Sequence, residues 1–285
     1  MTSIYRSQAG EAAVKTRYRQ ILDRWPVPSE RITVPTREGE TFVLACGPSD
    51  APKLLLFHGS GANAAMWMGD IAEWSKRFRC YAIDMIGEPG LSAQSRPDLA
   101  SDAYALWLDD VLKGLAVQQA AIVGVSLGGW LALDYATRRP ARVKKLALLC
   151  PGGVGRQRGL IILLLPLLLF GPWGRRLLRD HVLGREARSM NTPETRWMAE
   201  FASLIFSNFR PRCDKLPVFS DANLYALPMP LLAILGGEDA LLDSRDTQRR
   251  LTRCVTHADI RFLPKVGHLI RGQTATIGEF LERAF

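Results

Sequence analysis

The chain has 285 residues, 47% of them hydrophobic and 23% charged, with a formal net charge of +9. That length holds one large α/β domain with an insertion, or two domains, and the composition is ordinary for a globular protein. The positive residues are scattered without an RNA- or DNA-binding signature, so nucleic acid is not an expected partner. The five cysteines, Cys46, Cys80, Cys150, Cys213 and Cys254, are odd in number and include no C-x-x-C pair. They argue against a disulfide framework or a zinc site and suit a reducing compartment. Residues 1–24 lack the apolar core of a signal peptide, so a cytoplasmic location is expected.

In chain order, Glu11 to Trp25 predicts a peripheral helix, closed by Pro26 and Pro28. Arg31 to Val34 and Thr41 to Ala45 read as two strands joined by the charged turn Arg37-Glu38-Gly39-Glu40. Lys53 to Phe57 is a short continuous apolar run, the mark of a strand covered on both faces. Similar strands are expected at Arg79–Ile83, Ala120–Val123, Val143–Leu149, Leu231–Leu235 and Ile260–Leu263. Helices are expected at about 64–76, 101–115, 127–139, 245–252 and 274–285. This alternation implies an α/β fold: a mainly parallel central sheet with helices on both faces and an antiparallel hairpin at one edge.

From Pro151 to about Ala226 the alternation stops. The expected domain organisation is therefore a core of 1–150 and 227–285 with a helical insertion at 151–226, at the sheet edge where open α/β sheets bind ligands. Within it, Leu160 to Phe170 is an eleven-residue apolar run flanked by arginines. It is too short to span a bilayer, which takes about 20 residues. Lining of a substrate cavity is the preferred reading, with contact to a membrane surface as the alternative.

The chemistry centres on Gly124-Val125-Ser126-Leu127-Gly128-Gly129, which sits between a buried strand and a helix. A serine with glycines two before and two after fits a nucleophile elbow: Gly124 and Gly128 permit a sharp turn that no β-carbon would allow. A serine nucleophile needs a base, and the base needs an orienting carboxylate. Of the four histidines, His268 lies in the loop after the last strand, on the same sheet edge as Ser126; His181 and His257 read as structural. Asp239, a few residues past the strand Leu231–Leu235, is the carboxylate candidate. Asp243 reads instead as a helix N-cap and Glu238 as a solvent-facing residue. The backbone N–H of Leu127 is one candidate donor to a tetrahedral oxyanion, and Ser60 or Gly61, in the glycine-rich loop after His58, is the other.

The order Ser126…Asp239…His268, with His58-Gly59 upstream, resembles the α/β-hydrolase superfamily over about residues 31–285. Asp84 to Ser92 is similar to that family's D-x-x-G-x-G-x-S loop but one residue longer. The resemblance implies a Ser-His-Asp triad, no metal or organic cofactor, and a helical lid over a substrate pocket. His58-Gly59-Ser60-Gly61 is also similar to the carbon–carbon bond hydrolases of aromatic degradation, but Val125 and Leu269 stand where those enzymes usually carry Asn and Trp. A serine nucleophile disfavours haloalkane dehalogenation. The chain looks most like the carboxylesterase/lipase branch, which implies a serine esterase acting on a small apolar ester. Acyl transfer, C–C bond hydrolysis and perhydrolysis would use the same triad, and a ligand receptor on this fold is the non-enzymatic alternative.

Overall fold

Each expected strand is present, and together they form an eight-stranded sheet in the order β1-β2-β4-β3-β5-β6-β7-β8. The strands are β1 Ser29–Thr36, β2 Gly39–Cys46, β3 Lys53–Phe57, β4 Arg79–Ile83, β5 Ala120–Val125, β6 Val143–Leu149, β7 Leu231–Gly236 and β8 Asp259–Leu263. The computed structural model describes residues 3–158 and 193–283; the apolar run Leu160–Phe170 and His181 lie outside them. β1 and β2 pair antiparallel, β2 joins β4 antiparallel, and every later pairing is parallel.

Apolar runs without alternation are what a sheet covered on both faces requires. In β3, Leu55 and Phe57 enter one hydrophobic core, while Leu54 and Leu56 enter the other. β7 divides likewise, with Leu231, Ala233 and Leu235 on one side and Leu232 and Ile234 on the other. Each such leucine, fully withdrawn from water, contributes about 1.5–3 kcal/mol of burial.

Around the sheet lie α1 Gln8–Leu22, α2 Ile71–Trp74, α3 Ala103–Gly114, α4 Leu127–Arg138, α5 Pro193–Asn208, α6 Asp221–Tyr225, α7 Ser244–Cys254 and α8 Thr274–Glu282. Two expectations need correction. The helix expected at 64–76 is a 3-10 helix, Ala64–Gly69, followed by the single turn of α2. Gly69 weakens helix at that point, and Asp70 turns aside to accept from the Thr274 hydroxyl at 2.5 Å. The N-terminal helix is not peripheral. Val14 and Tyr18 of α1 are fully buried, Tyr18 stacks on Phe201 of α5, and its hydroxyl donates to Asp84 at 2.8 Å. The N-terminal segment is also stitched to the chain after α5, through Arg6 N–H to Asn208 C=O and Arg210 N–H to Ile4 C=O.

The β5–α4 turn leaves no room for a β-carbon on either flank. A Cβ on Gly124 would lie 2.5 Å from the Gly128 carbonyl oxygen, and one on Gly128 would collide with the carbonyl oxygens of Phe57 and His58. Gly128→Ala is expected to lower the thermal midpoint by about 3–10 °C, from an overpacking cost of ~1–3 kcal/mol. Gly69→Ala, whose Cβ meets nothing within 4 Å, should shift it by less than about 2 °C. A calorimetric scan of both variants checks this; equal midpoints would contradict it.

Candidate active site

Ser126 forms the single-residue turn between β5 and α4, at φ 53° and ψ −109°. A non-glycine residue in such a conformation persists only where its surroundings hold it. Here the Ser126 N–H donates to Leu149 C=O at 2.9 Å, and its own carbonyl accepts from Trp130 at 2.9 Å and Gly152 at 3.1 Å. The side chain is thereby presented at the C-terminal edge of the sheet, half-buried.

The loops after β7 and β8 meet it there. The Ser126 Oγ lies 3.0 Å from His268 Nε2, and His268 Nδ1 lies 2.7 Å from Asp239 Oδ2. The other carboxylate oxygen of Asp239 accepts from the N–H groups of Leu241 at 2.7 Å and Leu242 at 3.0 Å. With Asp239 1% exposed, these bonds fix it in one orientation. In the neutral ring, Nδ1–H donates to Asp239 and the Nε2 lone pair accepts from the serine hydroxyl. Burial pulls His268 down, but the neighbouring Cys150 sulfur and the Asp239 carboxylate outweigh it and hold the imidazole above its ordinary value. Asp243 caps α7, accepting from Asp246 N–H, and Glu238 is exposed. His257 bonds to Met229 C=O at 2.9 Å, away from this group.

The loop after β3 supplies the opposite wall. His58 is fully buried, bonding Gly59 C=O through Nδ1 and accepting Met85 N–H at Nε2. Burial lowers it to about 4, so it is a neutral brace between two loops. Of the two candidate donors in this loop, Gly61 requires correction. Its N–H donates to Glu88 Oε2 at 2.6 Å and is taken. The N–H groups of Ser60 and Leu127 make no hydrogen bond to any described residue.

Two residues of this region escaped the sequence reading. Glu88 is the first. The loop from Asp84 to Ser92 is one residue longer than the pattern it resembles, and Glu88 turns inward from it. Its carboxylate also accepts from the Ser60 hydroxyl at 3.3 Å. The extra loop length was the only signal, and it gives no direction. Cys150 is the second. It follows β6 at φ 38°, is 2% exposed, and places Sγ 3.2 Å from the His268 carbonyl and 3.9 Å from His268 Nε2. A residue just past a parallel strand is a site candidate by position, but a cysteine without a spaced partner gives no metal or disulfide signal along the chain.

Burial raises Glu88 from 4.5 to about 7, against the opposing pull of Gly61 N–H and Arg96. Its folded value exceeds its unfolded one, so its contribution to stability is fully present below pH 4.5 and is lost as pH rises to about 7. Glu88→Gln, which keeps the acceptor for Gly61, is expected to be more stable than the parent at about pH 8, by up to about 3 kcal/mol. The gap should close toward about pH 4. Denaturant titrations at the two pH values check this; a variant less stable than the parent at the higher pH contradicts it.

The geometry is accompanied by similarity to known proteins. A model of the alpha/beta hydrolase family matches residues 54–275. Carboxylesterase YbfK of Bacillus subtilis (strain 168) is 30% identical over 260 residues, covering 89% of this chain and 86% of its own length. An uncharacterised carboxylesterase of the same organism, nap, is 28% identical over 287 residues, covering 94% of this chain and 90% of its own. The crystal structure of naproxen esterase (carboxylesterase NP) from Bacillus subtilis has a TM-score of 0.82 at 27% identity, covering 96% of this chain and 98% of that one. With its parallel sheet, its serine turn and a family match across most of its length, the chain belongs to the alpha/beta hydrolase family.

Proposed function

We propose that the protein is a serine hydrolase that cleaves carboxylic esters through an acyl-enzyme on Ser126. The observation that carries this reading is the unbroken hydrogen-bond chain from Asp239 through His268 to Ser126. The carboxylesterase relatives support the choice of ester as substrate.

In the first step Ser126 Oγ attacks the acyl carbon while His268 Nε2 takes its proton. Asp239 stabilises the imidazolium that results and keeps the ring in the productive tautomer. The carbonyl oxygen becomes an oxyanion between the N–H groups of Leu127 and Ser60. The start of α4 favours negative charge at that point, and each such donor is worth about 10²–10³ in rate. The oxyanion collapses, the ester C–O bond breaks, and His268 returns the proton to the leaving alcohol. Water, deprotonated by the same imidazole, then attacks the acyl-enzyme and releases the acid.

Glu88 acts here as a positioning residue. By holding Gly61 N–H and the Ser60 hydroxyl, it orients the loop so that Ser60 N–H takes no partner among the described residues. In the same reading, residues 1–150 and 227–285 are the hydrolase core and 151–226 its helical cap. α5, within 151–226, docks on α1 of the core through Phe201 and Tyr18. The leucine-rich sequence at 160–170 supports an apolar acyl or alcohol portion.

Hydrolysis of p-nitrophenyl esters by the parent, Ser126→Ala and His268→Ala tests the proposal. Both variants are expected to lose about 10³-fold or more in kcat with the fold retained. Equal rates in all three would overturn it.

A further inference from the structure

We propose that Cys150, His268 and Ser126 form a binding site for a thiophilic divalent cation, Zn²⁺ foremost, whose occupancy switches the hydrolase off. The hydrolytic mechanism makes no use of a thiol, yet Cys150 lies against its base. Among the described residues, Cys150, Asp239 and His268 are a group of potential metal ligands whose donor atoms all lie within 4.8 Å of one another.

The sulfur and nitrogen lie close to the spacing that one ion requires. A tetrahedral zinc with bonds of about 2.3 Å to sulfur and about 2.05 Å to nitrogen sets those two atoms about 3.6 Å apart. The observed Cys150 Sγ to His268 Nε2 separation is 3.9 Å, so a shift of a few tenths of an ångström suffices. Ser126 Oγ, 3.0 Å from the same nitrogen, is within a few tenths of an ångström of the roughly 3.3 Å that a third tetrahedral ligand needs, and the fourth position is left to water. Asp239 bonds the opposite ring nitrogen at 2.7 Å. A carboxylate there fixes the ring and raises its basicity, the arrangement that metal-bound histidines ordinarily carry. The left-handed backbone of Cys150 and its N–H bond to Ile234 C=O at 2.9 Å hold the sulfur in place.

Binding exchanges ligands and protons only. The Cys150 thiol gives up the hydrogen bond to the His268 carbonyl and releases its proton to solvent as sulfur takes the metal. The Nε2 lone pair that accepts from the Ser126 hydroxyl is then committed to the cation. With its base occupied, the serine cannot be deprotonated. Inhibition rests on the hydrolase reading above; binding does not.

Metal-free protein is titrated with Co²⁺, followed by absorbance, and ester hydrolysis is measured against Zn²⁺. One cobalt per chain is expected, with a thiolate-to-cobalt charge-transfer band that Zn²⁺ abolishes. The band should persist in Ser126→Ala, which cannot hydrolyse ester, and in Cys213→Ser, which lacks the exposed thiol. It should vanish in Cys150→Ala and in Cys150→Ser, with folding checked by circular dichroism. Asp239→Asn should bind about 10–100-fold more weakly. Zn²⁺ should inhibit the parent reversibly, with activity restored by EDTA. An active parent that shows no thiolate band overturns the metal site and leaves the hydrolase reading intact. A band or an inhibition that survives in a folded Cys150 variant also overturns the site. A parent that gives the band but hydrolyses no ester overturns the hydrolase reading alone.

Discussion

The backbone of Ser126 sits where an L-residue is strained, and three hydrogen bonds and two glycines hold it there. Strain of this kind costs about 1–3 kcal/mol, and the rest of the sheet edge is arranged to sustain it. The end of β6 accepts the Ser126 N–H, and the first turn of α4 takes its carbonyl. Gly124 and Gly128 let the backbone pack so closely that carbonyl oxygens occupy the space a β-carbon would need. Once the turn is fixed, the Ser126 side chain points to the sheet edge, and the loops after β3, β6, β7 and β8 arrive at the same edge because their strands are parallel.

Buried polar groups lock those loops relative to one another. Asp84 gathers the Ala64 N–H, the Leu91 N–H and the Tyr18 hydroxyl, which ties the loop after β4 to the loop after β3 and to α1. Burial raises Asp84 to about 6. Glu88, beside it in the same loop, is raised further and holds Gly61. His58 is neutral for the same reason and braces Met85. The protein thus spends desolvation of three ionisable groups on loop geometry, while the Ser60 and Leu127 N–H groups at the edge take no partner among the described residues.

Much of this was legible in the sequence because the relevant signals are local. Uninterrupted apolar runs marked the covered strands, since both faces of each run are buried in separate cores. Glycine spacing marked the turn at Ser126, and position after a strand brought out Asp239 and His268. Signals that depend on tertiary contact were not legible. Nothing near Tyr18 indicates that it reaches Asp84, so α1 read as peripheral. The break at Gly69-Asp70 depends on Thr274, more than two hundred residues away. The choice between Ser60 and Gly61 depended on which N–H a carboxylate from another loop would take. Cys150 became notable only when β6 placed it beside His268, for no spacing along the chain relates the two.

The arrangement is tested most directly by a crystal structure of the protein inactivated with a fluorophosphonate. The expected result is a single adduct on Ser126 Oγ, with the phosphonyl oxygen within about 3 Å of both the Leu127 and Ser60 N–H groups and His268 still bonded to Asp239. An adduct on another residue, or a phosphonyl oxygen that approaches neither N–H, would contradict it.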